Sequence, residues 1–120
     1  MQPQRLIWRG ILVGLLAVVS TLALSPNPPG PEVVGWDKFN HGAAFAALAG
    51  SVWFAYPTLR LRGMVALFVY GGLIEIVQAF VPNRSAEWLD VLADAVGIGL
   101  GCAIAAAVGR IAPQLRHLRR

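Results

Sequence analysis

Charge is what this chain has least of. Only 13% of its 120 residues are charged, against 57% hydrophobic, where a soluble domain carries about 25% charged residues. With a mean hydropathy of +0.62, that deficit identifies lipid rather than water as the main solvent. Cysteine is nearly absent as well. The single Cys102 excludes an internal disulfide, and its apolar stretch with small neighbours marks it as a small buried hydrophobe. There is no internal repeat, no low-complexity segment and no tight metal motif such as HExxH. Nucleic acid is a poor partner for a net charge of +4 whose arginines sit at helix ends.

What is present is four apolar stretches, at about 6–24, 39–56, 63–81 and 88–108. Each is near the roughly 20 residues needed to cross a hydrocarbon core. The first ends at Ser25-Pro26-Asn27-Pro28-Pro29-Gly30-Pro31, which cannot stay helical and serves as an extended outer loop. Pro57 and Pro82 close the second and third, and Pro113 lies beyond the fourth. An open sheet would leave its edges unsatisfied in lipid. The expectation is an all-α membrane protein: residues 1–120 form one domain, a four-transmembrane-helix bundle. Arg5 and Arg9 before a short apolar run ending Ala23-Leu24-Ser25 also admit a signal peptide. An uncleaved first helix is the simpler account, because the rest of the chain is itself membrane-embedded.

Placing both termini in the cytoplasm puts Arg5, Arg9, Arg60, Arg62, Arg110, Arg116, Arg119 and Arg120 inside and only Lys38 and Arg84 outside. That is a strong positive-inside bias over loops short enough for the rule to hold. Trp36 and Trp88 then sit at the outer interface and Trp8, Trp53 and Tyr56 at the inner one. The basic tail lies on anionic headgroups. The location implied is the cytoplasmic (inner) membrane, with membrane lipids as partners.

This topology gathers the polar residues. Asp37, Lys38 and His41 begin the second helix at the outer face, Glu75 and Gln78 approach that face in the third, Asp90 and Asp94 descend from it in the fourth, and Arg84 caps the loop between. Glu75 lies six residues before Val81 and Asp94 six after Trp88, so both sit about 9 Å below their helix ends at 1.5 Å per residue. Asp37/His41, Glu75/Gln78 and Asp90/Asp94 each share a helix face. Gly97 and Gly101, below Asp94, turn that stripe toward another helix. An ionisable residue at a helix centre costs roughly 2.5–3.5 kcal/mol. Three in one leaflet point to a site: His41, Glu75 and Asp94 as acid and base, with Asp37, Lys38, Gln78, Arg84 and Asp90 binding a ligand. A purely structural network is the competing reading, with Glu75 protonated and bonded to Gln78 or His41, and Asp90 an N-cap. His41, Asp37, Glu75 and Asp94 offer one nitrogen and several oxygens, but without a ligand motif no metal or other cofactor is assigned.

These residues resemble the VanZ-like family of small membrane proteins. The resemblance rests on Asp37-Lys38-Phe39-Asn40-His41 with Phe45 and Leu48, and on Glu75-Ile76-Val77-Gln78-Ala79-Phe80 followed by Arg84, Asp90, Asp94, Gly97 and Gly101. The family usually carries Asn where this chain has Asp94. The resemblance implies a bacterial cell-envelope protein of four or so transmembrane helices, related in one member to low-level glycopeptide (teicoplanin) resistance. It supplies no established reaction.

Three functions compete. The first is a site, open to the outer leaflet, that binds or processes an envelope lipid-linked or peptidoglycan precursor, with Arg84 and Lys38 holding an anionic headgroup. The second is a non-enzymatic accessory protein whose polar cluster only joins helices. The third is a proton-linked carrier, ranked last, since a chain with no inverted repeat would need to form a homo-oligomer. Whether the chain is an enzyme stays open. No nucleophile elbow surrounds Ser85, and Ser51 and Thr58 lie toward the inner face.

Overall fold

The structure is a computed structural model that describes residues 3–26, 36–82 and 86–118, with side-chain placement for all of these except Trp36, Asp37 and residues 113–118. The described residues form four helices and no strand: α1 (Pro3–Ala23), α2 (Trp36–Ala55), α3 (Arg60–Gln78) and α4 (Trp88–Leu118). The loop 27–35, which includes most of the proline-rich segment, and Arg84 lie outside the described residues.

α1, α3 and the stretch Trp88–Ala112 of α4 are long and apolar enough to cross a membrane. α2 is long enough at 20 residues, but its opening turns carry Lys38, Asn40 and His41. It can carry them because it is the central helix. α2 packs most heavily against α4, then α1, and also touches α3. Its Phe45, Leu48, Ala49, Val52 and Ala55 are all buried, so protein rather than lipid surrounds much of it. The outward faces of the other helices carry exposed Val13, Val18, Val65, Leu73, Ile76, Val96, Leu100 and Ile104. An apolar surface this extensive is what a lipid-solvated helix presents.

Small residues set the α2–α4 distance. A Cβ added at Gly97 would run into the backbone of Gly42, and one at Gly101 into the backbone carbonyl of Ala46. The two helices therefore touch backbone to backbone, as small-residue stripes allow. The hairpin between α2 and α3 is closed by Pro57, which disfavours helical geometry at Tyr56. There Arg9 Nε donates to the Ala55 carbonyl at 3.2 Å and Arg60 Nε to the Trp53 carbonyl at 3.1 Å. These guanidinium groups also stack over Tyr56 (4.3 Å) and Trp53 (4.0 Å). The α2 carboxyl end is thus capped by cations that complement its dipole.

Two helix limits depart from the sequence reading. α3 ends at Gln78 rather than near Val81. Its last turn tightens instead, with Phe80 N donating to Val77 O (3.0 Å) and Val81 N to Gln78 O (3.1 Å), the i to i+3 pattern of a frayed end ahead of Pro82. α4 runs to Leu118 instead of stopping near 108. Pro113 removes one backbone donor within α4 without ending it.

Candidate functional site

The end of the bundle opposite the arginine-capped hairpin collects the polar side chains. The first two turns of α2 supply Lys38 and His41. The last turn of α3 supplies Glu75 and Gln78. The first two turns of α4 supply Asp90 and Asp94. His41, Glu75, Gln78, Asp90 and Asp94 are all buried, with Asp94 0% and Asp90 1% exposed.

His41 is the hub. Its Nδ1 lies 2.9 Å from Asp94 Oδ1. An ionised Asp94 can only accept, and in that state Nδ1 carries the proton and Asp94 fixes the tautomer. The other ring nitrogen, Nε2, then points its lone pair toward α3, where Glu75 Oε1 stands 3.9 Å away. That separation is too long for a hydrogen bond, and Glu75 Oε1, although buried, makes none among the described residues. The second oxygen of Glu75 accepts from the backbone N–H of Glu87 at 2.9 Å. The carboxylate is thereby anchored at one oxygen and presented at the other.

Beneath this group lies a floor that the sequence reading missed. A Cβ added at Gly71 would meet Asp94 Oδ2 and the Phe45 ring, so the glycine makes room for the carboxylate. Phe45 packs against Tyr70 (ring centroids 5.9 Å), and the Tyr70 hydroxyl meets Ser20 Oγ on α1. The signal was present: Gly71 stands one turn below Glu75 on the same face of α3.

Lys38 stands above the buried group. Its Nζ is 2.6 Å from Glu87 Oε2 and 3.6 Å from Asp90 Oδ1. The hydrogen bond that Lys38 donates to Glu87, aided by the charge of Asp90, holds this exposed ammonium above its ordinary pKa. Glu87 therefore contacts the site through both its backbone and its side chain.

Gln78 goes elsewhere. Its Nε2 donates to the Ala23 carbonyl at 2.8 Å, satisfying one of the orphan acceptors at the α1 terminus. It is a seam between α1 and α3. Arg84 and the Asp37 side chain lie outside the described residues. Glu75 also stands closer to its helix end than the sequence reading placed it, since α3 stops three residues later at Gln78. The meeting with His41 and Asp94 holds regardless, because it is set by how the helices pack.

A shallow, open groove leads from the surface to Glu75. It is lined by Glu75, Ile76, Ala79, Phe80, Ala86, Glu87 and Trp88. Phe80 and Trp88 are 84% and 75% exposed, so its rim is apolar and aromatic while its inner end is acidic.

A family model described as VanZ/LLP1 matches residues 4–109. The chain belongs to the VanZ/LLP1 family. The match covers most of the chain, including all four helices up to the emerging end of α4. No curated protein and no solved structure matches it. Family membership and three membrane-compatible helices make this VanZ/LLP1 chain a membrane protein.

Proposed function

We propose that this VanZ/LLP1 protein spans the bacterial cytoplasmic membrane four times with both termini inside, and that its buried cluster is an outer-leaflet site for the headgroup of an envelope lipid or lipid-linked glycan precursor. His41 and Glu75 are the proton-handling groups and Asp94 positions the imidazole. Lys38, with Arg84, Asp37 and Asp90, borders the headgroup. The observation that carries the reading is the imidazole buried between two carboxylates, hydrogen-bonded on Nδ1 and turned by Nε2 toward Glu75. An imidazole oriented in this way is the usual form of a general base. The groove supports the reading from the other side. Its apolar rim suits an acyl or prenyl chain, and its polar inner end suits a headgroup.

The test is the lipid content of the purified protein. Native mass spectrometry of wild type is expected to show a co-purifying amphiphile that Glu75→Gln loses while melting close to wild type in detergent. Gln keeps an acceptor for the Glu87 N–H and lowers the insertion cost, but it cannot transfer a proton. An amphiphile retained in full by Glu75→Gln would remove the site.

One observation favours a second reading, an accessory protein with a structural cluster. Glu75 bonds the backbone ahead of α4, and Gln78 bonds the end of α1, so both act as ties between segments. On that reading wild type carries no amphiphile at all.

Orientation is checked separately. With Cys102 removed, a cysteine at Asn27 or Asn83 is expected to react with impermeant maleimide outside intact spheroplasts, and one at Thr58 or Gln114 is not. The reverse labelling would invert the topology and place the cluster in the inner leaflet. The motivation is the partition of basic residues, together with Arg9 and Arg60 at the end opposite the cluster.

A further inference from the structure

We infer that His41, Glu75 and Asp90 form a binding site for a divalent transition-metal ion, with Asp94 as the residue that orients the histidine ligand. This rests on the headgroup reading and deepens it: with an ion bound, His41 and Glu75 act as its ligands in place of proton handling, and the ion meets an anionic group entering by the groove.

The geometry comes first. One ring nitrogen of His41 and one carboxylate oxygen from each of Glu75 and Asp90 lie within 4.8 Å of one another. Bonds of about 2.1 Å in a tetrahedral shell set donors roughly 3.4 Å apart, so small side-chain adjustments around a common centre would close the set. The donors come from three different helices and converge at the same level, an arrangement that a single acidic stripe could not produce.

The second observation is independent of that spacing. Glu75 is only 6% exposed, its Oε2 is held by the Glu87 N–H, and its Oε1 is directed at His41 Nε2 from 3.9 Å with no hydrogen bond among the described residues. A buried acceptor left in that state costs on the order of 1–3 kcal/mol. A cation between the imidazole and the carboxylate removes that cost, while direct contact would need the gap to shrink by about an ångström to reach hydrogen-bond length.

Third, the ligand support is already built. His41 Nδ1 donates to Asp94 Oδ1, the carboxylate–histidine pairing that orients metal-bound imidazoles and raises their basicity. Asp94 therefore belongs behind the ligand set, and Asp90 within it. Charge runs the same way. Three buried carboxylates, Glu75, Asp90 and Asp94, share this end of the bundle. Lys38 lies 3.6 Å from Asp90 and 2.6 Å from Glu87. A dication is attracted to carboxylates gathered where the dielectric is low.

An imidazole with two carboxylates suits zinc first, and three protein ligands leave one coordination position open. That position would face an anionic oxygen from the headgroup.

The experiment reads the ion alone. The chain has two histidines and one cysteine, so a Cys102→Ala/His117→Ala background with no affinity tag leaves His41 as its only imidazole. After chelator treatment, loading with Zn²⁺ and dialysis, this protein is expected to retain about one zinc per chain by elemental analysis. Its X-ray absorption spectrum should show an imidazole nitrogen among oxygen ligands. Glu75→Gln and Asp90→Asn should each weaken retention by tenfold or more, and Asp94→Ala by roughly 10–100-fold through the lost support of His41. No retained zinc, a shell without imidazole nitrogen, or affinity unchanged in both Glu75→Gln and Asp90→Asn would overturn the inference. The absorption measurement needs no site variant, so a misfolded mutant does not obscure the answer. A protein that holds zinc yet carries no amphiphile would keep this site and lose the headgroup reading. One that carries the amphiphile and no zinc would do the opposite.

Discussion

Gly97→Leu is expected to prevent α2 and α4 from closing, so that the protein no longer melts cooperatively in detergent. The obstacle is backbone. A Cβ at Gly97 would strike the Gly42 carbonyl, with Gly42 Cα and C both at 3.0 Å. A flexible side chain could turn aside, but here the whole helix must retreat. Retreat would open the seam that also holds Gly101 against Ala46 and would draw Asp94 away from His41, since both pairs bridge the same helices. Overpacking a core usually costs about 1–3 kcal/mol and sometimes more. Against a backbone wall the upper end applies, about 3 kcal/mol. Gly99 is the internal control. It lies on the same helix, exposed, with nothing within 4 Å of an added Cβ. Gly99→Leu should therefore melt like wild type. Equal melting of the two variants would show that the α2–α4 approach does not depend on Gly97.

His41→Leu is expected to cost about 3 kcal/mol, the upper end for taking a hydrogen-bond donor away from a buried carboxylate. The loss comes from what remains. Asp94 is 0% exposed, and the variant takes away the imidazole that contacts it at 2.9 Å. Leucine is the better membrane residue taken singly, gaining about 0.3–0.6 kcal/mol on insertion. That gain is several-fold smaller than the loss of this bond to a buried carboxylate, so the loss decides the sign. The double variant His41→Leu/Asp94→Leu should recover most of the stability, because an apolar replacement of a whole buried pair is often neutral. Thermal unfolding of wild type, both single variants and the double variant closes the cycle. A double variant no more stable than His41→Leu alone would mean that Asp94 and His41 do not act as a pair.

Both effects arise at contacts that the sequence could suggest without fixing. The polar end of the bundle was legible because charge is conspicuous in so apolar a chain: His41, Glu75, Asp90 and Asp94 stand out, and antiparallel helices bring them to one end. The partners were less legible. Gln78 and Glu75 share a face of α3, so period alone groups them, yet Gln78 turns to the α1 terminus and Glu75 to His41. Which neighbour each meets depends on how α1, α2 and α4 crowd around α3, and helical period carries no information about that. The role of Glu87 is hidden for a related reason. As a side chain near a helix start it looks like a surface charge, but its backbone N–H is what anchors Glu75. Backbone donors have no residue-specific signature.

By itself, the sequence determined that this is a helical membrane chain, because apolar length and scarce charge are sums over residues and need no partner. It also determined which end would be polar, since helix direction follows from chain order. The tertiary structure alone decided that α2 sits centrally, that Asp94 backs His41 while Asp90 joins His41 and Glu75, and that Gly71 clears the space beneath them. Each of these depends on distances between residues far apart in sequence. Those distances are set by where the backbones of α2 and α4 can touch, at Gly42, Gly97 and Gly101.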